Sequence, residues 1–453
     1  MRFHSKTRSR LLVSSLAIFS AMSLSSCSWF KNDDKKQPLT GDRISILQLQ
    51  TALEPTDVGL SGEAFVAPAP WKNESWPQAG GYPNHVMQNP SLSSTSSADL
   101  HKVWSADIGD GANDEIPLTA QPVVFNGLIF TLDTDSQISA FEIKSGKRVW
   151  RKSIQPKHED EQVISGGIAV SANVLYVTSG YRDTLAIDIQ NGETLWTSRL
   201  PSPSRAAPTI MGDSVYVMTV DNRLVALDTV SGRKKWEYEG LAESAGLIGA
   251  ASPAANSDIV VAPLSSGELT ALRVENGSVA WSENLSSLVR RGGSASLPDI
   301  PGLPVIDKDV VIGVSYGGKV VSIEQRTGRR VWQREIGCAK SPWVVGNAIF
   351  FLSANAELVA LGRDTGALLW VKPLNTYLSD SEALHNSLLW NGPIFAGGHL
   401  FVTAPEGSVI EVDPQTGDKL GDFDSGDRVA VSPVIADDTL FLLHQNGTLS
   451  AWK

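Results

Sequence analysis

One recurring pattern constrains this chain more than anything else in it. It is clearest at 226–236, ALDTVSGRKKW, where a small residue, an apolar one and an acid lead to Gly232 and then to Trp236. The Gly always falls six residues after the first position, and the Trp four residues after the Gly. The pattern returns from Ala140 to Gly146 and Trp150, and from Ala186 to Gly192 and Trp196. It returns again from Ala271 to Gly277 and Trp281, from Ser322 to Gly328 and Trp332, and from Ala360 to Gly366 and Trp370. A further copy runs from Glu411 to Gly417 but has Gly421 in the Trp position, followed by Phe423. A period of roughly 38 to 51 residues means a repeat architecture, whatever else the chain does.

Each copy reads as a hairpin. Leu224, Ala226 and Asp228 alternate faces as in a strand. The Gly supplies the positive φ of a tight turn, and the returning strand carries an indole at a fixed distance from that turn. Such a Trp can cover its own sheet or dock between neighbouring sheets, with its N–H on a backbone partner and the small first residue leaving room for the ring. Two further strands precede each hairpin, as in Gln121-Pro-Val-Val before Leu128-Ile-Phe-Thr-Leu and Ala207-Pro-Thr-Ile before Ser214-Val-Tyr-Val-Met. Weaker copies of this pair start near Gly166, Ser252 and Pro393. Four short strands per unit are the content of a propeller blade.

The count closes at eight. The last unit starts at Ser432-Pro-Val-Ile and ends the chain at Ala451-Trp452-Lys453 without an outer strand. Lys102-Val-Trp104 is an outer strand without a unit and matches Arg148-Val-Trp150 and Arg330-Val-Trp332. The expectation is an all-β fold, an eight-bladed β-propeller of four-stranded antiparallel blades over 100–453, closed by the N-terminal strand completing the last blade. Closure removes the edges an open ring would expose.

Residues 1–26 read as a targeting segment. Arg2, Lys6, Arg8 and Arg10 precede an apolar run from Leu11 to Leu24 that is short for a membrane span. It ends in Leu24-Ser25-Ser26-Cys27, which resembles a bacterial lipobox with Cys27 as the lipidated residue. Stable anchoring takes more than one acyl chain, as such lipidation supplies. Ser28 after the Cys resembles an outer-membrane address in lipoprotein sorting. Residues 27–99 then read as a tether or arm, with one candidate strand at 44–49 and an Ala/Pro-rich stretch at 64–70. Trp71 and Trp76 are unlike a free linker and are expected to pack onto the ring. The net charge is −11, and removing the four basic groups of the targeting segment takes it to −15, which argues against nucleic acid as a partner.

Little in the chain points to catalysis. The seven His (His4, His85, His101, His158, His385, His399, His444) are not paired at metal-ligand spacing with one another or with Cys, so no metal site is expected. Asp110, Asn113, Asp114 and Glu115 do not follow a Ca²⁺-loop pattern. Cys338, the one thiol besides Cys27, reads as a small buried residue.

The Gly-x-x-x-Trp repeat resembles that of the quinoprotein alcohol and glucose dehydrogenases, whose chemistry needs a quinone site with cation ligands and a catalytic acid. This chain has no adjacent Cys pair of the kind several of them use. The lipobox and the eight units together resemble the BamB family of outer-membrane β-barrel assembly lipoproteins, in the longer-armed alphaproteobacterial form. That resemblance implies a non-catalytic scaffold without a cofactor, held at the periplasmic face of the outer membrane. It implies as partners the periplasmic domains of the central barrel-assembly subunit and unfolded outer-membrane proteins. It also implies two partner-binding loops. In Glu243-Ser-Ala-Gly-Leu-Ile-Gly-Ala250, Leu247 and Gly249 match the family's run, while Ala245 and Ile248 stand where a Leu and an Arg occur. In Ser296-Leu-Pro-Asp-Ile-Pro301, Asp299 matches the first of two Asp and Pro301 replaces the second. Leu247, Ile248, Gly249 and Asp299 are therefore the expected contacts, with Arg290 and Arg291 as candidate replacements for the missing charge. A quinone-dependent periplasmic dehydrogenase and a propeller that binds another envelope protein or a glycan remain the alternatives.

Overall fold

A computed structural model describes residues 64–94, 96–241, 251–286, 300–378 and 386–453. The first five strands are β1 (Lys102–Asp107), β2 (Val123–Phe125), β3 (Leu128–Leu132), β4 (Gln137–Glu142) and β5 (Arg148–Ser153). β2 to β5 pair antiparallel in sequence order and form blade 1. The same four-strand meander recurs over 167–199, 209–239, 254–284, 305–334, 343–373 and 391–424, giving blades 2 to 7. Blade 8 takes Val434–Ala436, Thr439–Leu443 and Thr448–Trp452, and β1 pairs with the last of these as its outer strand. The described residues thus form eight four-stranded sheets, closed as the repeat count requires. His101 and Lys453 complete the seam by exchanging backbone hydrogen bonds of 3.2 and 3.0 Å.

Burial follows position within the blade. The middle strands are nearly continuous apolar runs, buried on both faces between neighbouring blades. Outer strands such as β5 alternate exposed and half-buried residues, with the Trp on the inward set. Apolar clusters span the blade boundaries. Phe130, Leu132 and Ile138 of blade 1, for example, pack with Ile168, Val170 and Val177 of blade 2.

The repeat pattern has two structural meanings, one within a blade and one between blades. Within blade 3, Tyr216 pairs across the sheet with Ala226, and Ala226 with Trp236. The small central residue lets the two rings meet over it, at 5.7 Å between centroids. Phe130, Ala140 and Trp150 form the same row, as do Tyr176, Ala186 and Trp196, Phe350, Ala360 and Trp370, and Phe441, Ala451 and Trp104. In each row the first aromatic lies ten residues before the Ala. This constant spacing is a signal the Gly–Trp reading passes over.

Between blades, each Trp reaches the Gly turn of the next unit. Trp196 Nε1 donates to Thr229 O at 3.0 Å, and a Cβ added to Gly232 would sit 2.6 Å from the Trp196 ring. The same link joins Trp104 to Ile143 and Gly146, Trp150 to Ile189 and Gly192, and Trp236 to Val274 and Gly277. It continues from Trp281 to Gln325 and Gly328, from Trp332 to Arg363 and Gly366, and from Trp370 to Pro414 and Gly417. The acceptor is always the residue three before the Gly. The Gly is thus both a positive-φ turn residue and the floor on which the neighbour's indole rests.

This explains the imperfect copy. Blade 7 would aim its Trp at the turn joining the last two strands of blade 8, but those strands, Thr448–Trp452 and β1, are not consecutive in the chain and no such turn joins them. Gly421 instead makes room for the short turn Ser97–Asp99. A Cβ on Gly421 would lie 2.5 Å from Ser97 Oγ, and Ser97 N donates to Glu411 Oε2 at 2.7 Å. Phe423 covers the seam, its ring 4.6 Å from that of Trp452.

Candidate functional site

Because every blade is an antiparallel meander, the turns joining its first to its second strand and its third to its fourth share one face of the ring. The connections from one blade to the next share the opposite face. These two faces are finished differently.

The turn face carries the arm. Asn73 accepts from Asp437 N at 2.6 Å and donates its side-chain amide to Ile435 O at 2.7 Å, on the innermost strand of blade 8. Trp76 and Val124 exchange both backbone bonds at 2.8 Å on blade 1. Pro77 O accepts from Val170 N on blade 2, and the Gln78 side chain takes both the N–H and the C=O of Ile210 on blade 3. Pro83 O then accepts from Ala255 N on blade 4, and Asn84 O from Ile306 N on blade 5. Gln88 binds the Trp343 indole and Gly346 N on blade 6, while Asn89 and Pro90 take Gly398 N and Gly397 N on blade 7. Ser93 N returns to Asp438 O on blade 8. In about twenty residues the arm visits all eight blades in order, satisfying inner-edge amides that would otherwise need water.

Side chains reinforce the circuit. Trp76 is 1% exposed and stacks on Trp343 at 6.2 Å. Trp71 donates to Met87 O and stacks on Tyr82, so the arm closes over itself. Trp76 therefore packs onto the ring as expected, whereas Trp71 packs on the arm itself and stays 36% exposed. Phe65 seats edge-on against Phe350 and Phe395, at 5.3 and 5.6 Å, where the arm reaches the ring. His85 is buried and its Nδ1 donates to Pro304 O at 2.6 Å, leaving Nε2 without a partner. Burial pulls its pKa down to about 4, so the ring is neutral at pH 7.

The opposite face carries the long connections. Leu247, Ile248, Gly249 and Asp299 lie outside the described residues, as do Ala245, Arg290, Arg291, Cys27 and the candidate strand at 44–49. What the structure does fix is where their connections leave and return. Gly240 N donates to Asn222 O, and Asn222 Nδ2 donates to Leu241 O at 2.5 Å, which pins the exit from blade 3. The return is buried at Ala251 and Ser252, and Thr209 Oγ1 donates to Pro253 O at 2.6 Å. At the second connection, Leu285 N donates to Gly267 O, and Ile300 returns buried. Leu241 stands 69% exposed at the first exit.

The reactive groups are placed for packing. Cys338 is buried, its Sγ donates to Lys340 O, and burial pushes its thiol pKa up to about 12. Among the described residues, no group of three or more His, Cys, Asp and Glu is arranged to hold a metal ion, and no helix is long and apolar enough to cross a membrane.

These features define the chain as an eight-bladed propeller of the quinoprotein-type repeat with a strap laced around one face. Its family follows from comparison with known proteins. The model described as outer membrane protein assembly factor BamB matches residues 134–372 and 345–453, and the chain belongs to that family. It is similar to the outer membrane protein assembly factor BamB of Yersinia pestis, with 26% identity over 358 residues, covering 78% of this chain and 88% of that protein. The crystal structure of BamB from Moraxella catarrhalis superposes with a TM-score of 0.65 at 21% identity, over 78% of this chain and 99% of that one. The fold alone also matches a quinohemoprotein alcohol dehydrogenase from Pseudomonas putida, with a TM-score of 0.65 at 12% identity, over 84% and 80% of the two chains.

Proposed function

We propose that the protein is a non-catalytic, lipid-anchored scaffold of outer-membrane β-barrel assembly, working at the periplasmic face of the outer membrane. Membership of the BamB family across the ring carries this reading. Cys27 bears the lipid. The partners are the periplasmic domains of the central assembly subunit and its unfolded outer-membrane clients. Leu247, Ile248 and Gly249 supply an apolar contact, and Asp299 a charged one. A rigid ring suits this task, since it offers fixed loop ends from which a partner can be held in one orientation. The exposed large apolar residues favour a protein partner over a glycan. Among those described they are aliphatic apart from Trp71, which belongs to the arm.

The test is recovery of the tagged lipoprotein from its own envelope in mild detergent, with the co-purifying proteins identified by mass spectrometry. Stoichiometric recovery of the central assembly subunit, lost in Leu247→Glu, is expected. Absence of that subunit from an intact, lipidated preparation refutes the scaffold reading, and quinone reconstitution and glycan binding are then the assays to run. Full recovery with Leu247→Glu removes this loop as the contact.

A further inference from the structure

The arm crosses blade 5 on a histidine whose setting suits only its neutral form. Asn84 O accepts from Ile306 N, and one residue further His85 Nδ1 lies 2.6 Å from Pro304 O. A carbonyl only accepts, so Nδ1 carries the proton and Nε2 keeps a bare lone pair. Nε2 is buried and has no partner among the described residues. Its side of the ring is closed in: a Cβ on Gly80 would lie 3.1 Å from His85 Cδ2 and 2.8 Å from Leu303 Cδ1. His444, also buried, differs in having a partner at each nitrogen, Asp427 O at Nδ1 and Ser450 Oγ at Nε2. His85 and Gln88 also hold φ of 60° and 56°, a left-handed backbone that residues other than glycine adopt at a cost.

Protonating Nε2 in place would bury an N–H and a positive charge with nothing to accept either. Among the described residues, no charged group offsets this. On the arm, Lys72 is engaged with Asp437 and Asp438, Glu74 attracts Lys72, and Tyr82 stacks on Trp71. On blade 5, Asp307 is held by Arg363, and Lys308 and Asp309 stand exposed. Burial, only partly offset by the Pro304 carbonyl, takes the imidazole from its ordinary 6.5 to about 4. In an undocked arm the ring is in water and titrates in the ordinary way. Acid therefore favours undocking, and the arm is the element that yields. It holds each blade by one to a few hydrogen bonds, whereas the strands of a blade share whole ladders.

We propose that His85 is an acid trigger: its protonation releases the arm from the turn face of the ring. Release bares the amides of Val124, Val170, Ala255, Ile306 and Asp437 on the innermost strands and their turns, and returns the arm to the tether. The docked form is fully favoured above pH 6.5, and its advantage falls away as the pH drops toward 4. The trigger depends neither on the assembly role nor on the lipid, and its test requires neither.

The experiment follows native-state hydrogen exchange of the full-length protein from pH 7 to pH 4.5, with each rate corrected for intrinsic exchange at that pH. Ala255 and Ile306 donate to the arm backbone and Gly346 to Gln88 Oε1. Their opening constants should rise roughly fiftyfold over this range, as an imidazole at 6.5 when free and about 4 when docked requires. Amides between the middle strands, such as those pairing Tyr216 with Ala226, should not move. In His85→Asn, which suits a positive φ, the rise at the arm-bound amides should shrink to roughly threefold or less. No rise in wild type, an equal rise in His85→Asn, or an equal rise at the middle strands overturns the proposal. If His85→Asn leaves the arm undocked even at pH 7, the wild-type profile decides. A rise of roughly sevenfold between pH 6 and pH 5 supports the histidine, and a rise that begins only below pH 5 overturns it.

Discussion

Replacing Trp76 with Ala tests whether the arm acts as one cooperative strap or as a series of independent contacts. Trp76 is 1% exposed, stacks on Trp343 and sits in the apolar cluster shared with Val124, Val434 and Ile435. Truncating a buried Trp to Ala costs about 3–5 kcal/mol. The arm's remaining bonds number one to a few per blade, each contributing about 0.5–1.5 kcal/mol. The loss at Trp76 is thus comparable to several of them together, and undocking of the whole strap becomes the easiest opening. Native-state hydrogen exchange reads this directly, because Val170, Ala255, Ile306, Gly397 and Asp437 donate their amides to the arm from five other blades. If the strap opens as a unit, the exchange of these amides should accelerate together with Val124. At about 1.4 kcal/mol per decade, the change is roughly two to three and a half orders of magnitude. Amides between middle strands, such as those pairing Tyr216 with Ala226, should be unmoved. Acceleration confined to Val124 and its immediate neighbours would refute the cooperative strap.

Three further outcomes follow from the same geometry. His85 is neutral and buried with its pKa near 4, so its contribution is complete above pH 6.5 and is lost as pH falls toward 4, by roughly 3 kcal/mol. Denaturant melts at pH 7 and pH 4.5 should show a larger acid loss in wild type than in His85→Gln, and equal losses would rule the histidine out. Gly232→Val puts a β-branched residue at φ 68° against the Trp196 ring and should destabilise by about 2–4 kcal/mol in equilibrium unfolding, whereas a change under about 0.5 kcal/mol would mean the indole does not rest there. Gly421→Trp restores the repeat pattern but collides with Ser97 and finds no turn to receive it, so it should lower the melting temperature; a rise would show that the seam admits an indole after all.

The ring was legible in the sequence because the Gly-to-Trp spacing is set by a contact that must be made the same way at every blade boundary. Even the closure could be read, since Lys102-Val-Trp104 is an outer strand without a unit and the last unit lacks only its outer strand. The direction of the contact was not legible. Gly232 and Trp236 share a hairpin, but Gly232 receives Trp196 and Trp236 rests on Gly277, and only the spatial order of blades reveals this. The arm was legible as ordered at Trp71 and Trp76 but not as a circuit. Its bonds run through the backbone and through Asn73, Gln78, Asn84 and Gln88, and carry no periodicity. The proposed contact residues came from family resemblance, and physics alone would not have chosen Leu247 over Leu241.

The seam at blade 8 also sets an order of events during synthesis. Lys102 pairs with Trp452, so the ring joins residues 350 positions apart, and the first strand of the propeller has no sheet to enter until the final residues arrive. Contacts of such long range form late and slowly. The strap faces the same delay, because Asn73 and Ser93 bind the innermost strand and turn of that same last blade. A product that stops before Thr448–Trp452 would therefore leave β1 without its partner strand and the ring open, with unpaired edges exposed. Pairing of β1 with Thr448–Trp452 thus acts as a built-in check on chain integrity, and copies that lack this strand present themselves to proteases by default.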